Sequence, residues 1–304
     1  MTLLTTGLGA HIRSASIRGK VKGGENSARS IIFLVMLWLC LFAAFGVLLT
    51  LIITTLLDGA GRFTTELVTN YPASSPDRAG MRPAILGSIW VIGVTAVLTI
   101  PLGVAAAIHL EEFADRKKWF NRVIELNVQN LAAVPAIVYG LLALGFLALL
   151  GVQNKNIVLG GAVALGLLVL PVIIIATRES LRAVPQDIRQ GSLALGATPL
   201  QTVWRQTLPA SVPGIATGSI LGLSRALGEA APLLVLGALV FVSFDPNGLL
   251  SGYTTMPIQI FNWTSRPQAG FHEIAAAGSI LLLAILIAMN GLAIFIRNRY
   301  QQRW

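Results

Sequence analysis

Long apolar runs separated by short polar segments dominate this chain. Six of the runs are long enough to cross the hydrocarbon core of a bilayer, which takes about 20 residues as an α-helix. They lie at about Ile31–Leu57, Pro83–Ile108, Leu126–Leu150, Val158–Ala176, Val212–Val242 and Ile274–Ile296. The pattern predicts an all-α, polytopic membrane protein with six transmembrane helices.

The composition agrees with this prediction. Hydrophobic residues make up 55% of the 304 residues and charged residues only 12%, with a mean hydropathy of +0.75. A soluble domain carries about a quarter charged residues, so this chain cannot cover a water-exposed surface. The single cysteine, Cys40, rules out an intrachain disulfide. The first apolar run exceeds the roughly 7–15 residues of a signal-peptide core, which indicates an uncleaved membrane anchor.

The basic residues predict the orientation of the chain. If the N-terminus is cytoplasmic, the inner segments hold sixteen Lys and Arg residues and the outer loops hold five. This bias predicts that both termini face the cytoplasm. The net charge of +9 therefore reflects topology rather than nucleic-acid binding. The predicted segments are a flexible cytoplasmic tail (1–30), a first helix with an outer loop (31–82), a permeation core of five helices (83–297) and a cytoplasmic tail (298–304).

Motifs for enzymatic chemistry are missing from the sequence. No G-x-x-x-x-G-K-[ST] loop occurs, so we expect that the chain does not bind or hydrolyse ATP itself. The three histidines, His11, His109 and His272, do not have the spacing of metal ligands. We therefore predict no catalytic residue, no metal site and no cofactor within this chain.

A polar loop joins the fourth and fifth apolar runs. Pro185 is suited to the first position of a helix, and Asp187 in the first turn complements the helix dipole. Gly196 interrupts this helix, and Thr198-Pro199 predicts the N-cap and first residue of a second short helix that ends near Leu208-Pro209. The apolar residues between them favour either a structured connector or a docking element for a cytoplasmic partner.

The fifth apolar run combines small residues with two charges. Gly214, Gly218 and Gly222 recur every four residues, and Arg225 and Glu229 follow seven positions after Gly218 and Gly222. On one helix these five positions lie within about 80° of one another. Small residues allow close helix packing in lipid, and each charge at mid-membrane costs about 2.5–3.5 kcal/mol. The stripe is therefore predicted to face protein or a water-filled cavity.

Two interpretations of the charged residues remain open. Arg225 and Glu229 either neutralise each other as a structural ion pair, or the guanidinium of Arg225 binds phosphate or carboxylate oxygens. Three further polar residues are candidates for pore lining or for hydrogen bonds between helices: Gln129, Asn130 and Tyr139. Prolines in or near the runs predict kinks at Pro101, Pro135, Pro171 and Pro232.

Three segments carry a resemblance to a known family. They resemble segments of the PstA-type permeases of phosphate ABC transporters and read SRALGEAAPLL (224–234), VPAIVYGLL (134–142) and TTMPIQIFNW (254–263). The resemblance covers about residues 84–297, which is nearly the whole core. It implies the fold of a type I ABC importer permease.

The polar loop is similar to the coupling loop of ABC importer permeases, here at about residues 185–209. The spacing of the motif fits on Gly196 and Leu208-Pro209, but Gln190, Gly191 and Ser192 stand where Glu-Ala-Ala is expected. Gln206 replaces an isoleucine. The resemblance implies that this loop seats on a cytoplasmic ATPase subunit through Gln190, Gly191, Ser192, Gly196, Ala197, Leu208 and Pro209.

The resemblance also implies a function and a set of partners. The chain is expected to be a permease subunit that takes up inorganic phosphate across the bacterial inner or plasma membrane. Its expected partners are a PstC-like sister permease, a PstB-like ATPase dimer that binds ATP and Mg²⁺, and a PstS-like extracytoplasmic phosphate-binding protein. The expected substrate path includes Gly222, Ser224, Arg225 and Glu229, and helix packing is assigned to Gly214, Gly218 and Gly222.

Other functions stay open at this point. The same architecture serves a different oxyanion, such as molybdate, sulfate or phosphonate. A secondary transporter or channel would run without an ATPase partner, and a sensory scaffold would report on phosphate rather than carry it. Dependence of uptake on an ATPase separates the first of these classes from the second.

Overall fold

Helices make up the fold of this protein. The computed structural model describes residues 28–115, 117–238 and 241–300. The predicted flexible tail lies outside the described residues up to position 27, and so do residues 301–304 of the predicted C-terminal tail. Within the described part no strand forms, and a single isolated β-bridge joins Ile157 to Gly252. The prediction of an all-α protein is confirmed.

The described residues form helices that range from short turns to long apolar rods. In chain order they are α1 (Ala28–Ala60), α2 (Thr65–Thr69), α3 (Arg82–Ile108), α4 (Trp119–Leu131), α5 (Ala136–Leu149), α6 (Val158–Arg182), α7 (Gln186–Ala194), α8 (Pro199–Thr202), α9 (Leu208–Leu227), α10 (Ala231–Val235), α11 (Met256–Thr264) and α12 (Ala269–Tyr300). Two π-helical turns, His109–Phe113 and Val203–Thr207, extend α3 and lead into α9.

The chain divides into two compact units, Met1–Ile52 and Ile53–Trp304. The part of α1 in the first unit is apolar around its circumference from Ile31 to Ile52, as expected for a helix surrounded by lipid. In the second unit, α6 forms the centre of the core and packs against α3, α5 and α9, while α12 packs against α9 and α11. Small residues along α6, such as Ala164 and Gly166, are buried and allow these helices to approach closely.

Four helices in the described part are long and apolar enough to cross a membrane: α1, α3 with its π-helical turn, α6 and α12. They correspond to the first, second, fourth and sixth predicted spans. The chain is therefore a multi-pass membrane protein. The other two predicted spans are interrupted, and the count of six transmembrane helices stays a prediction.

The third predicted span, Leu126–Leu150, is not one straight helix. It consists of α4 and α5, whose axes are bent by 115° at a short break. Pro135 causes the break, because it lacks an amide hydrogen and disfavours the helical conformation at Val134. The hydroxyl of the buried Tyr139 donates a hydrogen bond to the carbonyl of Leu131 and so bridges the break. If this bent pair counts as one span, the described residues contain five.

The fifth predicted span, Val212–Val242, is also wrong as a continuous helix. Helix α9 begins earlier, at Leu208, and ends at Leu227 with Gly228 as its C-cap. If α9 continued, the ring of Pro232 would clash with the carbonyl of Gly228, which lies four residues earlier. Pro232 also has no amide hydrogen to donate to that carbonyl, so the helix ends before it. The short helix α10 follows and ends before Gly237, whose φ of 79° is left-handed and favours glycine.

Polar contacts hold the end of the core at which α3 begins. Arg82 Nη2 lies 2.6 Å from Asp245 Oδ2, which also accepts a hydrogen bond from the Tyr71 hydroxyl at 3.2 Å. Arg62 contacts Asp77 at 2.8 Å and Glu273 at 3.1 Å. Hydrogen bonds to these two carboxylates raise the pKa of the Arg62 guanidinium. These pairs tie the segment before α3 to α12 and to the loop before α11.

Candidate functional site

The glycine stripe of α9 lies against α6. A Cβ atom on Gly214 would lie 2.5 Å from Ser180 Oγ, and one on Gly218 would lie 2.5 Å from Ala176 Cβ. A Cβ on Gly222 would meet Val169 Cγ1 at 3.3 Å. The absence of side chains at Gly214 and Gly218 therefore sets the distance between the two helices.

Only one of the two charges lies on the helix that carries this stripe. Arg225 lies in the last turn of α9 with 57% of its side chain exposed, and Glu229 lies beyond the end of the helix with 26% exposed. Arg225 Nε and Glu229 Oε1 are 3.9 Å apart, which is long for a charged hydrogen bond. The expectation that both charges continue the helical stripe is wrong for Glu229, because α9 ends first.

The other two residues expected along the substrate path are buried within the chain. Gly222 packs on α6, and Ser224 is 4% exposed. The Ser224 hydroxyl has no hydrogen-bond partner among the described residues. Of the four expected path residues, the structure therefore brings only Arg225 and Glu229 to an accessible surface. Gln129 and Asn130 are exposed on α4, whereas Tyr139 of α5 is buried.

The polar loop after α6 forms a helix–bend–helix unit. Pro185 is the N-cap of α7 rather than its first residue, and Gly196 forms the bend with a left-handed φ of 86°. Thr198 caps α8 in a capping box: its amide donates to Gln201 Oε1 at 3.0 Å, and the amide of Gln201 donates to Thr198 Oγ1 at 3.3 Å. The bend and the second N-cap lie where the sequence predicts them.

The end of this loop differs from the prediction. The second helix does not end near Leu208-Pro209, because the π-helical turn Val203–Thr207 runs directly into α9. Pro209 lies at the second position of α9, directly after this π-helical turn. The loop and the charged helix therefore form one continuous helical path.

The loop has an inner and an outer side. On the inner side, Val203 is 3% exposed and packs in an apolar cluster with Ile108 and Leu181. On the outer side, large apolar side chains face away from the chain: Leu193, Leu195, Leu200 and Trp204. Leu195 is 91% exposed at the bend. An exposed apolar patch of this kind in a polar loop marks a contact surface.

The remaining residues expected in the loop's contact surface lie around the bend. Gln190 and Gly191 are exposed on α7, and Gly196 is exposed at the bend. Ser192 Oγ lies 3.0 Å from Thr202 Oγ1, and the amide of Ala197 donates to the carbonyl of Ser192 at 3.2 Å. Leu208 and Pro209 lie apart from them, at the start of α9.

A network of charged residues lies between this loop and the helical core, and the sequence analysis missed it. Arg178 contacts Glu111 at 3.2 Å and Glu125 at 2.6 Å, and Arg182 contacts Glu111 at 2.9 Å. Arg189 of α7 contacts Glu112 at 2.8 Å. In the sequence, the arginines indicate only the topology of the chain. The signal that points to the network is the pair of adjacent acidic residues, Glu111 and Glu112, at the end of an apolar run.

Metal-binding geometry is not found among the described residues. No three His, Cys, Asp or Glu side chains within residues 28–115, 117–238 and 241–300 come together as a site that could hold a metal ion. The chemistry available at the exposed site is that of a guanidinium beside a carboxylate.

Comparison with known proteins assigns the family. Residues 99–303 match the family described as binding-protein-dependent transport system inner membrane component. The chain belongs to this family. As the membrane component of such a system, the permease is not itself the catalytic subunit.

Relatives of the permease cover most of its length. It is 36% identical over 216 residues to the phosphate transport system permease protein PstA 1 of Mycobacterium tuberculosis (strain CDC 1551 / Oshkosh), covering 70% of this chain and 69% of the relative. It is 31% identical over 258 residues to the phosphate transport system permease protein PstA of Yersinia pestis, covering 83% and 85%. The probable ABC transporter permease protein YqgI of Bacillus subtilis (strain 168) is 28% identical over 269 residues, covering 85% and 91%. These matches confirm the resemblance to PstA-type permeases.

Solved structures confirm the fold. A chain of a bacterial alginate ABC transporter, in complex with an alginate pentasaccharide-bound periplasmic protein, matches with a TM-score of 0.65 at 15% identity, covering 90% of this chain and 96% of that one. A chain of the inward-facing MetNI methionine ABC transporter matches with a TM-score of 0.58 at 16% identity, covering 76% and 100%. The permease therefore has the fold of an ABC importer permease.

Proposed function

We propose that this permease is the PstA-type subunit of an importer that takes up inorganic phosphate. The carrying observation is its 31% identity, over 83% of the chain, to a phosphate transport system permease. We place the chain in the bacterial inner or plasma membrane with both termini in the cytoplasm, as the positive-inside bias predicts. Its partners in this proposal are a PstC-like sister permease, a PstB-like ATPase dimer and a PstS-like phosphate-binding protein.

Energy enters this system through the partner ATPase, which binds ATP and Mg²⁺. The outer side of the loop between α6 and α9 is the surface proposed to meet it. Leu195 is exposed there at the bend, Leu200 on the capped helix α8, and Trp204 on the π-helical turn that follows it. Aromatic and apolar side chains anchored on a rigid element are typical of contact surfaces. Motion of the ATPase would then move α9 directly, because α8 continues into it.

Arg225 is the proposed transient contact for the anion. Its side chain is 57% exposed, and its guanidinium offers the forked donors that match phosphate oxygens. Such a charge is costly against lipid, so in the membrane it requires water or a protein partner around it. A path between this permease and its sister subunit supplies both. The weak pairing with Glu229 suits a transport site, because a deep binding site would trap the substrate.

Glu229 has two proposed roles beside Arg225. Its carboxylate balances the guanidinium when the path is empty, which avoids an unpaired charge. It also accepts a hydrogen bond from a protonated phosphate, whereas fully ionised sulfate has no proton to donate. Ser224 and Gly222 act from inside the chain, through packing behind Arg225 rather than through contact with the anion.

The test is ATP hydrolysis by the complete system in liposomes. The permease is reconstituted with its sister subunit, the ATPase and the binding protein loaded with phosphate, sulfate or molybdate. We expect phosphate-loaded binding protein alone to stimulate hydrolysis and uptake. Equal stimulation by sulfate or molybdate would retain the importer and reject phosphate as the specific substrate. An intact complex that no ligand stimulates would favour a sensory scaffold.

A further inference from the structure

The structure shows how α7 is attached to the transmembrane core, and the attachment centres on Arg189. Its Nη2 atom donates to Glu112 Oε1 at 2.8 Å and to the carbonyl of Leu181 at 2.7 Å, while Nη1 donates to the carbonyl of Val184 at 2.9 Å. We propose that Arg189 and Glu112 form a clamp that transmits movement of the coupling loop to the core. The inference rests on the proposed function, because it concerns how an ATPase partner drives this permease.

The ion pair of this clamp is largely buried, which distinguishes it from a surface ion pair that solvent screens. The side chains of Arg189 and Glu112 are only 21% and 11% exposed. Charge-assisted hydrogen bonds at these distances are about twice as strong as neutral ones. Two of the three bonds end on backbone carbonyls, that of Leu181 in the last turn of α6 and that of Val184 just after it. The guanidinium therefore fixes α7 to α6 and, through Glu112, to the turn that extends α3.

The clamp continues into the rest of the charged network. Glu112 lies in the π-helical turn that extends α3, next to Glu111. The Glu111 carboxylate binds both Arg178 and Arg182 of α6, and Arg178 also binds Glu125 of α4 at 2.6 Å. A displacement of α7 is therefore passed through charged contacts to α3, α4 and α6. π-Helical turns occur frequently at functional sites, and this one places two adjacent carboxylates toward the network.

Alternative attachments of α7 are weaker. Helix α7 packs mainly on α8 and on the π-helical turn after it, which are themselves parts of the loop. The apolar anchor Val203 belongs to that turn and not to α7. Gln190, at the first position of the coupling motif, is exposed and uncharged. Among the ion pairs of the described residues, Arg189–Glu112 is the one that joins α7 to the core.

The experiment measures coupling in the complete reconstituted transporter. The readouts are ATP hydrolysed and phosphate taken up per ATP, with phosphate-loaded binding protein present. The main variant is the apolar pair Arg189→Met/Glu112→Leu, which preserves volume and leaves no unpaired buried charge. The matched control is Arg297→Ala, which removes an exposed arginine from the last turn of α12.

We expect the apolar pair to assemble and to hydrolyse ATP within about twofold of wild type, while phosphate uptake per ATP falls about tenfold or more. Arg189→Lys retains the charge but cannot make the three forked contacts at once, so it should give an intermediate ratio. Arg297→Ala should match wild type. A merely structural role would change assembly and leave the ratio of uptake to hydrolysis unaltered.

Several results would overturn the clamp. A wild-type ratio in the assembled apolar pair would show that volume alone is needed at these positions. If that pair does not assemble, Glu112→Gln decides, because it retains shape and an acceptor oxygen: a wild-type ratio in Glu112→Gln would reject the clamp, and a severalfold lower ratio would support it. A wild-type complex that shows no phosphate-stimulated hydrolysis would instead reject the proposed function.

Discussion

Two arginine–glutamate systems in the second unit of the permease differ in distance and in burial. Beyond the end of α9, Arg225 Nε and Glu229 Oε1 are 3.9 Å apart, and the side chains are 57% and 26% exposed. Near the end of α6, Arg178 lies 3.2 Å from Glu111, and the side chains are only 6% and 5% exposed, respectively. Arg178 also reaches Glu125 at 2.6 Å.

This difference in distance and burial suits the two systems to different roles. The exposed Arg225 suits a contact with a ligand, and the buried Arg178 suits a contact that holds helices together. A buried pair becomes strongly destabilising when one partner is lost, because the remaining charge has no compensation. An exposed, long pair contributes little to stability, so its charges are free to exchange partners. The sequence alone shows Arg and Glu in both systems, and only their surroundings distinguish the roles.

The largest effect is expected from Arg178→Ala. Removing this side chain breaks two contacts of a buried charged network and leaves Glu111 with Arg182, which should destabilise the permease by about 3 kcal/mol, the lower end of the range for a broken buried pair. Thermal unfolding and size-exclusion chromatography of the purified complex measure the loss. Arg122→Ala on the exposed side of α4 is the control. Equal stability of the two variants would contradict the structural role of the Arg178 network.

The next effect is expected from Gly218→Ala, which tests the contact between the helices that carry the two systems. The new Cβ would lie 2.5 Å from Ala176 Cβ, so α9 must move away from α6 at a cost of about 1–3 kcal/mol. Gly93→Ala is the matched control, because no atom lies within 4 Å of its added Cβ. The same unfolding measurement applies, and no difference between the variants would reject the close α6–α9 contact.

A smaller effect on stability, with a large effect on transport, is expected from Arg225→Ala. The loose exposed pair contributes below about 1 kcal/mol, so the complex should assemble normally. Phosphate uptake in proteoliposomes should fall by more than about tenfold, as expected when a charge-assisted contact is lost. Arg225→Lys should retain part of the uptake because it retains the charge. Failure of Arg225→Ala to assemble would favour the structural ion pair instead.

The smallest effect on stability is expected from Glu229→Gln, which removes the charge and preserves the shape. Assembly and the unfolding temperature should match wild type, since this side chain lies beyond α9 in a weak pair. Hydrolysis stimulated by phosphate relative to sulfate should change severalfold, because the acceptor for the phosphate proton is weakened. Unaltered selectivity and turnover would remove Glu229 from the transport mechanism.

Local chemistry explains which features were predictable. The long helices α1, α3, α6 and α12 follow from apolar runs of sufficient length, because the bilayer requires helices that satisfy their own backbone. The bend at Gly196 and the cap at Thr198 follow from the conformational freedom of glycine and from a side-chain acceptor beside a proline. The spacing of Gly214 and Gly218 on one helix face predicts that they face protein or a water-filled cavity, and the structure shows that the protein they meet is α6.

The interruptions of the third and fifth predicted spans could be predicted only in part. Pro135 and Pro232 predict a kink, but a proline specifies neither the size nor the direction of a bend. The turn between α4 and α5 is 115°, and in the folded chain both helices contact α6. For the same reason, the sequence predicts Glu229 on the fifth helix, whereas α9 ends at Leu227.

By itself, the sequence determined the helical class, the membrane location and the family, because hydropathy and short motifs act over neighbouring residues. The tertiary structure alone decided which charges meet. Arg178 and Glu111 are 67 positions apart, and Arg189 and Glu112 are 77 apart. Coulombic energy depends on distance and on the dielectric surroundings, and neither exists until α3, α6 and α7 have packed together.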